Sequence, residues 1–213
     1  MGISKQTVNI NKIVLGDKAK SKIIKYVPHG LNENLFFPIN KDHKQWENLQ
    51  QFKKSYFEGK EYEFAVFFNS RNIRRKQIPD TMLAYKYFID QLPIEQAKKC
   101  VLVLHTELVS DHGTDLDAVI ELLANGEQYN IIFTDARLDP YQMSLLYNST
   151  DAQILLTSNE GWGLSLTEAM MCGKMIMATV TGGMQDQMRF ENEKGEWVDF
   201  NEEFCSNHFG TYK

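Results

Sequence analysis

The chain has 213 residues, 43% of them apolar and 24% charged, a composition that suits a globular protein of one or two domains with a sizeable core. Its formal net charge of −5 argues against a general nucleic-acid or membrane-surface binder, because affinity for phosphate needs concentrated positive charge. No run approaches the ~20 apolar residues of a membrane span, the N-terminus lacks a signal-peptide core, and the scattered cysteines Cys100, Cys172 and Cys205 have no metal-ligand spacing, so a reducing cytoplasm is expected.

In chain order, residues 1–22 are polar and Lys-rich, with scattered Val8, Ile10, Ile13, Val14 and Leu15 compatible with a helix that lacks a core of its own. Ile23 to Val27 reads as a strand ended by Pro28-His29-Gly30, and residues 44–57 read as an amphipathic helix. Tyr62 to Phe68 is the first strong strand, followed by the basic loop Asn69-Ser70-Arg71-Asn72-Ile73-Arg74-Arg75-Lys76. Ile78, Met82, Tyr85, Ile89 and Leu92 then fall at helical spacing.

A strand at Val101 to Leu104 leads through a polar loop to a helix around Asp115 to Leu123, and Ile131 to Phe133 is the next strand. Asp139 and Pro140 supply the cap and first residue of a helix through Leu145, Leu146 and Tyr147. Ala152 to Leu156 is a strand, Leu164 to Met170 a short helix closed by Gly173, and Met175 to Ala178 a further strand. Thr181-Gly182-Gly183 precedes a short helical segment, and Trp197-Val198 is one more short strand. Strands alternating with helices imply an α/β fold, a Rossmann-like, doubly wound parallel sheet with helices on both faces and ligands at the carboxyl ends of the strands.

The stretch Ser158 to Gly173, S-N-E-G-W-G-L-S-L-T-E-A-M-M-C-G, carries the most chemistry. Strand, glycine turn and helix start leave backbone N–H groups and a positive dipole end facing outward, which suits an anion. Glu160 and Glu168 flank the turn; on a continuous helix they would lie about 80° apart, so they converge only where the glycines bend the chain. A ligand with both phosphate and hydroxyl groups suits such a site.

Glu160-Gly161-Trp162-Gly163-Leu164 followed by Glu168-Ala169 and Cys172-Gly173 closely resembles the Glu, seven residues, Glu signature of retaining GT-B glycosyltransferases of the group 1, family 4 type, in their C-terminal donor-binding domain. The resemblance implies that Glu160 meets hydroxyls of the donor sugar and Glu168 the ribose hydroxyls of a UDP-, GDP- or ADP-sugar. Gly161, Trp162, Gly163 and Leu164 would offer backbone N–H groups, and Gly182 and Gly183 would shape the same cleft. Arg71 and Lys76 match the family's pair that clamps the donor diphosphate, with Ser70 where a glycine is usual. A guanidinium fork and an ammonium suit two phosphates whose charge grows as the nucleotide leaves. Without the resemblance, the same residues read as a solvated basic turn, a loop acid and a helix acid near the dipole.

Val27-Pro28-His29-Gly30-Leu31-Asn32 through Pro38 resembles the linker of these transferases, giving an expected division into 1–40, a remnant of the N-terminal lobe with the interdomain linker, and 41–213, the nucleotide-sugar-binding domain. Nearly all of an acceptor lobe is then missing, so that lobe would come from a longer chain or a separate polypeptide. The expected activity is metal-independent transfer of a sugar to an unidentified acceptor with retained anomeric configuration, without cofactor. Two other readings stand beside it: a non-catalytic nucleotide-sugar-binding module or donor subunit of a split transferase, and an epimerase of the same fold. Asp115-Leu116-Asp117 imitates a metal motif but lies in the first turn of an amphipathic helix, and Asp111-His112 reads as a turn. His105, at a strand's carboxyl end, is a weaker site residue.

Overall fold

The computed structural model describes residues 1–199 and 210–212. Its elements in chain order are α1 (Lys5–Leu15), α2 (Trp46–Tyr56), β1 (Phe64–Asn69), α3 (Ile78–Asp90), α4 (Ile94–Ala97), β2 (Cys100–His105), α5 (Leu116–Leu123), β3 (Ile131–Thr134), α6 (Pro140–Asn148), β4 (Ala152–Leu155), α7 (Leu164–Met171), β5 (Met175–Ala178), α8 (Met184–Gln187), β6 (Met188–Glu191), β7 (Trp197–Val198) and β8 (Gly210–Tyr212). The chain divides into two compact units. One comprises Leu31–Thr157 and Glu168–Ala178; the other comprises Met1–Gly30, Ser158–Thr167 and the described part of Thr179–Lys213.

The first unit is built on continuous apolar runs. Ala65 to Phe68 of β1 and Val101 to Leu104 of β2 are fully buried, which requires both sheet faces to be covered and favours a parallel sheet with crossover helices. All five strands are parallel in the order β3-β2-β1-β4-β5, with helices on both faces, the doubly wound Rossmann-like arrangement expected from the strand and helix alternation. Register places Asn69, His105 and Thr134 side by side at the carboxyl ends of β1, β2 and β3.

Local sequence explains the helices. In α3 the buried residues Ile78, Met82, Tyr85 and Ile89 share a stripe, and Pro79 sits in the first turn where its missing N–H costs nothing. Asp139 and Gln142 form a reciprocal capping box at the start of α6. The Asp115 carboxylate accepts from the Ala118 N–H, so this acid is a helix cap, as the amphipathic pattern implies. Phe36, Phe57, Phe67, Val103, Leu146 and Tyr147 meet in the core on one side of the sheet, and α3 packs on α5 and β2.

In the second unit Ser4 caps α1, accepting from the Thr7 N–H at 3.0 Å. The strand expected at Ile23 to Val27 is absent: Tyr26 makes a single parallel bridge with Gly2. The physical reason is exposure, since Ile23 is 86% and Val27 44% accessible and no sheet covers them. The strand expected at Trp197-Val198 is present as β7, pairing antiparallel with β6, which the sequence reading omitted; β6 also pairs with β8. Cys100 and Cys172 are buried free thiols, whereas Cys205 lies outside the described residues.

Candidate functional site

The loop after β1 is anchored by a residue the sequence reading passed over. Asn72 is buried, and its Nδ2 lies 3.0 Å from the Glu107 carbonyl, 3.3 Å from that of Leu108 and 2.7 Å from that of Thr114. Its Oδ1 accepts from the Thr114 N–H at 3.0 Å, and Gly113 packs so closely on it that a Cβ there would collide with the Asn72 carbonyl and side chain. The Arg74 N–H donates to the His112 carbonyl, and Thr157 Oγ1, just beyond β4, donates to the Arg75 carbonyl at 3.0 Å. Asp111 and His112 thus belong to a turn that braces the basic loop. On it Arg71 is exposed and Lys76 is buried in a single 3-10 turn, Arg74–Lys76. Gln77 follows in the left-handed region, φ 47° and ψ 45°, where a non-glycine residue is uncommon, and it starts α3.

Glu168 is half-buried in the same unit and is held by a chain of side-chain hydrogen bonds. The Tyr147 hydroxyl donates to Glu168 Oε2 at 2.6 Å and accepts from Asn69 Nδ2 at 3.0 Å. Tyr147 is fully buried, and its ring packs edge-on against Phe67 and Phe36. Burial raises the Glu168 pKa above the ordinary carboxyl value, with the Tyr147 phenol opposing that rise. Burial and the neighbouring carboxylate push the Tyr147 phenol well above its ordinary value, so it stays a donor. Asn69 is the last residue of β1, so this chain ties Glu168 to the strand end from which the Arg71 loop leaves. His105 lies beside Asn69 in register; burial lowers its pKa against the opposing pull of Asp135, and its Nδ1 is buried with no hydrogen-bond partner among the described residues.

Glu160, Gly161, Trp162, Gly163, Leu164, Gly182 and Gly183 belong to the other unit. There the 160–163 turn and the Gly182-Gly183 pair are brought together: the Gly183 N–H donates to the Glu160 carbonyl at 3.1 Å. A Cβ on Gly182, whose φ is +54°, would run into the Glu160 carbonyl oxygen, and one on Gly183 into that of Gly161. The Trp162 ring is buried, its indole N–H donating to Thr167 Oγ1 at 3.0 Å and its carbonyl accepting from Gln187 Nε2 at 2.5 Å. Thr167 Oγ1 in turn donates to Gln187 Oε1 at 2.8 Å, and His29 meets the indole edge-on at 6.1 Å between centroids. The side chain of Trp162 is therefore packing that fixes the turn, while Leu164 stands 42% exposed. Thr167 and Gln187 left no signal in the sequence, because their hydrogen bonds join segments about 20 residues apart and follow no repeat. Among the described residues no group of three or more His, Cys, Asp or Glu could hold a metal ion, and no helix is long and apolar enough to cross a membrane.

A five-stranded parallel sheet with a basic loop after one strand and a carboxylate tied to the same strand end defines a Rossmann-like α/β domain. Residues 60–204 match the family model of glycosyl transferases group 1, and the chain belongs to that family. Nothing matches among curated protein sequences. Among solved structures, the chain is similar to the C-terminal domain of a glycosyl transferase group 1 family protein (LpcC) from Francisella tularensis, at 19% identity and a TM-score of 0.54, covering 72% of each chain. It is also similar to a glycosyltransferase from Rickettsia africae, at 18% identity and TM-score 0.60, covering 87% of this chain and 45% of that one. The catalytic domain of starch synthase IV from Arabidopsis thaliana, solved with ADP and acarbose, matches at 15% identity and TM-score 0.58, over 86% of this chain and 38% of that one. The fold is that of the C-terminal lobe of GT-B glycosyltransferases, and the chain spans less than half of the latter two.

Proposed function

We propose that the chain is the donor-binding lobe of a retaining glycosyltransferase that takes a nucleoside-diphosphate sugar. Arg71 and Lys76 hold the diphosphate, Glu168 accepts from the ribose hydroxyls, and Glu160 accepts from hydroxyls of the sugar. Backbone N–H groups of Gly161 to Leu164, at the start of α7, add donors whose dipole suits the phosphate. The observation that carries this reading is the Asn69–Tyr147–Glu168 chain, which holds a half-buried carboxylate at the end of the strand that delivers Arg71. A buried carboxylate kept as an acceptor is costly unless it has a partner to orient, and vicinal hydroxyls are a suitable one.

Departure of the nucleoside diphosphate places growing negative charge on the phosphate oxygens. A guanidinium can meet two of them in a bidentate fork and an ammonium a third, so the leaving group is stabilised without a metal ion. The remaining contribution is orientation: hydroxyl contacts fix the sugar so that the anomeric carbon faces the acceptor. Acceptor binding and full turnover belong to the proposal for the whole transferase.

Calorimetric titration with UDP, GDP and ADP and their glucose and mannose conjugates tests the reading. One base should bind, and Arg71→Ala should weaken it by about tenfold or more through loss of charge-assisted hydrogen bonds. Absence of binding by all of them would overturn it.

A further inference from the structure

The proposed donor site gives Tyr147 no function beyond holding Glu168 at the strand end. It is the largest fully buried side chain and carries a hydroxyl, a polar group whose burial is tolerated only with satisfied hydrogen bonds. Both of its hydrogen bonds are satisfied in one direction: the Asn69 amide donates to the phenol oxygen, and the phenol donates to Glu168 Oε2. Such a chain polarises along its length, so the phenol is a better donor to the carboxylate than an isolated one. Its members come from three separate elements, Asn69 at the end of β1, Tyr147 in α6 and Glu168 in α7. The ring is clamped by Phe67 and Phe36, at 5.2 and 6.1 Å between centroids, so the hydroxyl has no freedom to follow the carboxylate elsewhere.

We infer that Tyr147, oriented by Asn69, is a positioning residue that engages Oε2 of Glu168 and thereby presents Oε1 to a ribose hydroxyl, setting preference for ribonucleotide over deoxyribonucleotide donors. Oε1 takes no hydrogen bond from the described residues, so one oxygen is committed to the protein and the other is left for a ligand. A carboxylate anchored through one oxygen loses rotational freedom before the ligand arrives, so less is lost on binding. The gain falls on the hydroxyl contact alone and leaves phosphate contacts untouched. This inference rests on the reading of Glu168 as the ribose acceptor.

The test compares dissociation constants for UDP, GDP and ADP, each against its 2′-deoxy and 3′-deoxy counterparts, in the native chain and in Tyr147→Phe and Glu168→Ala. The native chain should prefer the ribonucleotide by about tenfold or more over at least one deoxy form, the scale of a hydrogen bond to a charged group. Glu168→Ala should erase the preference. Tyr147→Phe should cut it by about fivefold while leaving deoxynucleotide affinity within about twofold, a pattern that a merely structural role would not give. Equal weakening of ribo and deoxy forms by Tyr147→Phe, or an unchanged preference, would overturn the inference while the donor reading stands. A preference that Glu168→Ala does not touch would overturn the reading of Glu168, and the inference with it. Should Tyr147→Phe fail to fold, Asn69→Ala probes the same chain from its other end and is expected to lower the preference by about twofold to threefold; no change would overturn the inference.

Discussion

At Glu168 the folded chain raises a carboxyl pKa by burial and lowers it part of the way back through the Tyr147 phenol. The folded value lies above the unfolded one, so the stability linked to this group is fully present below the unfolded pKa and is lost as pH rises through the folded pKa. Glu168→Gln should therefore raise the melting temperature at neutral pH by about 1–3 °C, with the gain vanishing in acid where the native carboxyl is protonated. Thermal unfolding followed across that pH range checks it, and a loss of stability at neutral pH would contradict the sign. The two glutamates and the Arg71, Lys76 pair stand out as candidates because their spacing survives in a linear reading. Tyr147 and Asn69 were not: Tyr147 follows Leu145 and Leu146 and reads as part of the same packed helix, and its partner carboxylate is 21 residues away. Trp162 shows the converse, a conspicuous aromatic in the turn whose ring packs within its own unit.

Among the elements, the loops are held more by side chain to backbone bonds than by regular structure. The two Nδ2 hydrogens of Asn72 are shared among three carbonyls, and its Oδ1 accepts from one N–H, all in the segment between β2 and α5. Asn72→Ala removes these hydrogen bonds, although the Leu108 carbonyl keeps the Leu116 N–H, and should lower the unfolding free energy by about 2–4 kcal/mol in urea denaturation, whereas the exposed Arg71→Ala should stay within about 0.5 kcal/mol. Equal stability of the two variants would contradict the anchoring role. Elements with strong local punctuation were read correctly, as at α6, where Asp139 and Pro140 announce the start and Gln142 closes the box. Ile23 to Val27 had strand composition but no neighbour to pair with beyond one bridge, and β6 was hidden because its partners β7 and β8 are short. Pairing is a tertiary fact, and β-propensity records only fitness for it.

For the whole molecule, alternation of strands and helices was enough to give a parallel doubly wound sheet, because only crossover helices can cover both faces of strands as apolar as β1 and β2. The strand order β3-β2-β1-β4-β5 was not legible, since it depends on which side each crossover takes. With a net charge of −5, the proposed binding of an anionic donor requires local cations and helix ends to overcome the general field. The most direct test of that claim is amide chemical-shift mapping of the isotope-labelled chain titrated with the nucleoside-diphosphate sugar that binds most tightly. Saturable shifts should concentrate at residues 69–77, at Glu168 and along 158–164 with Gly183. Shifts confined to residues outside these segments, or no saturable shift with any donor, would contradict the account.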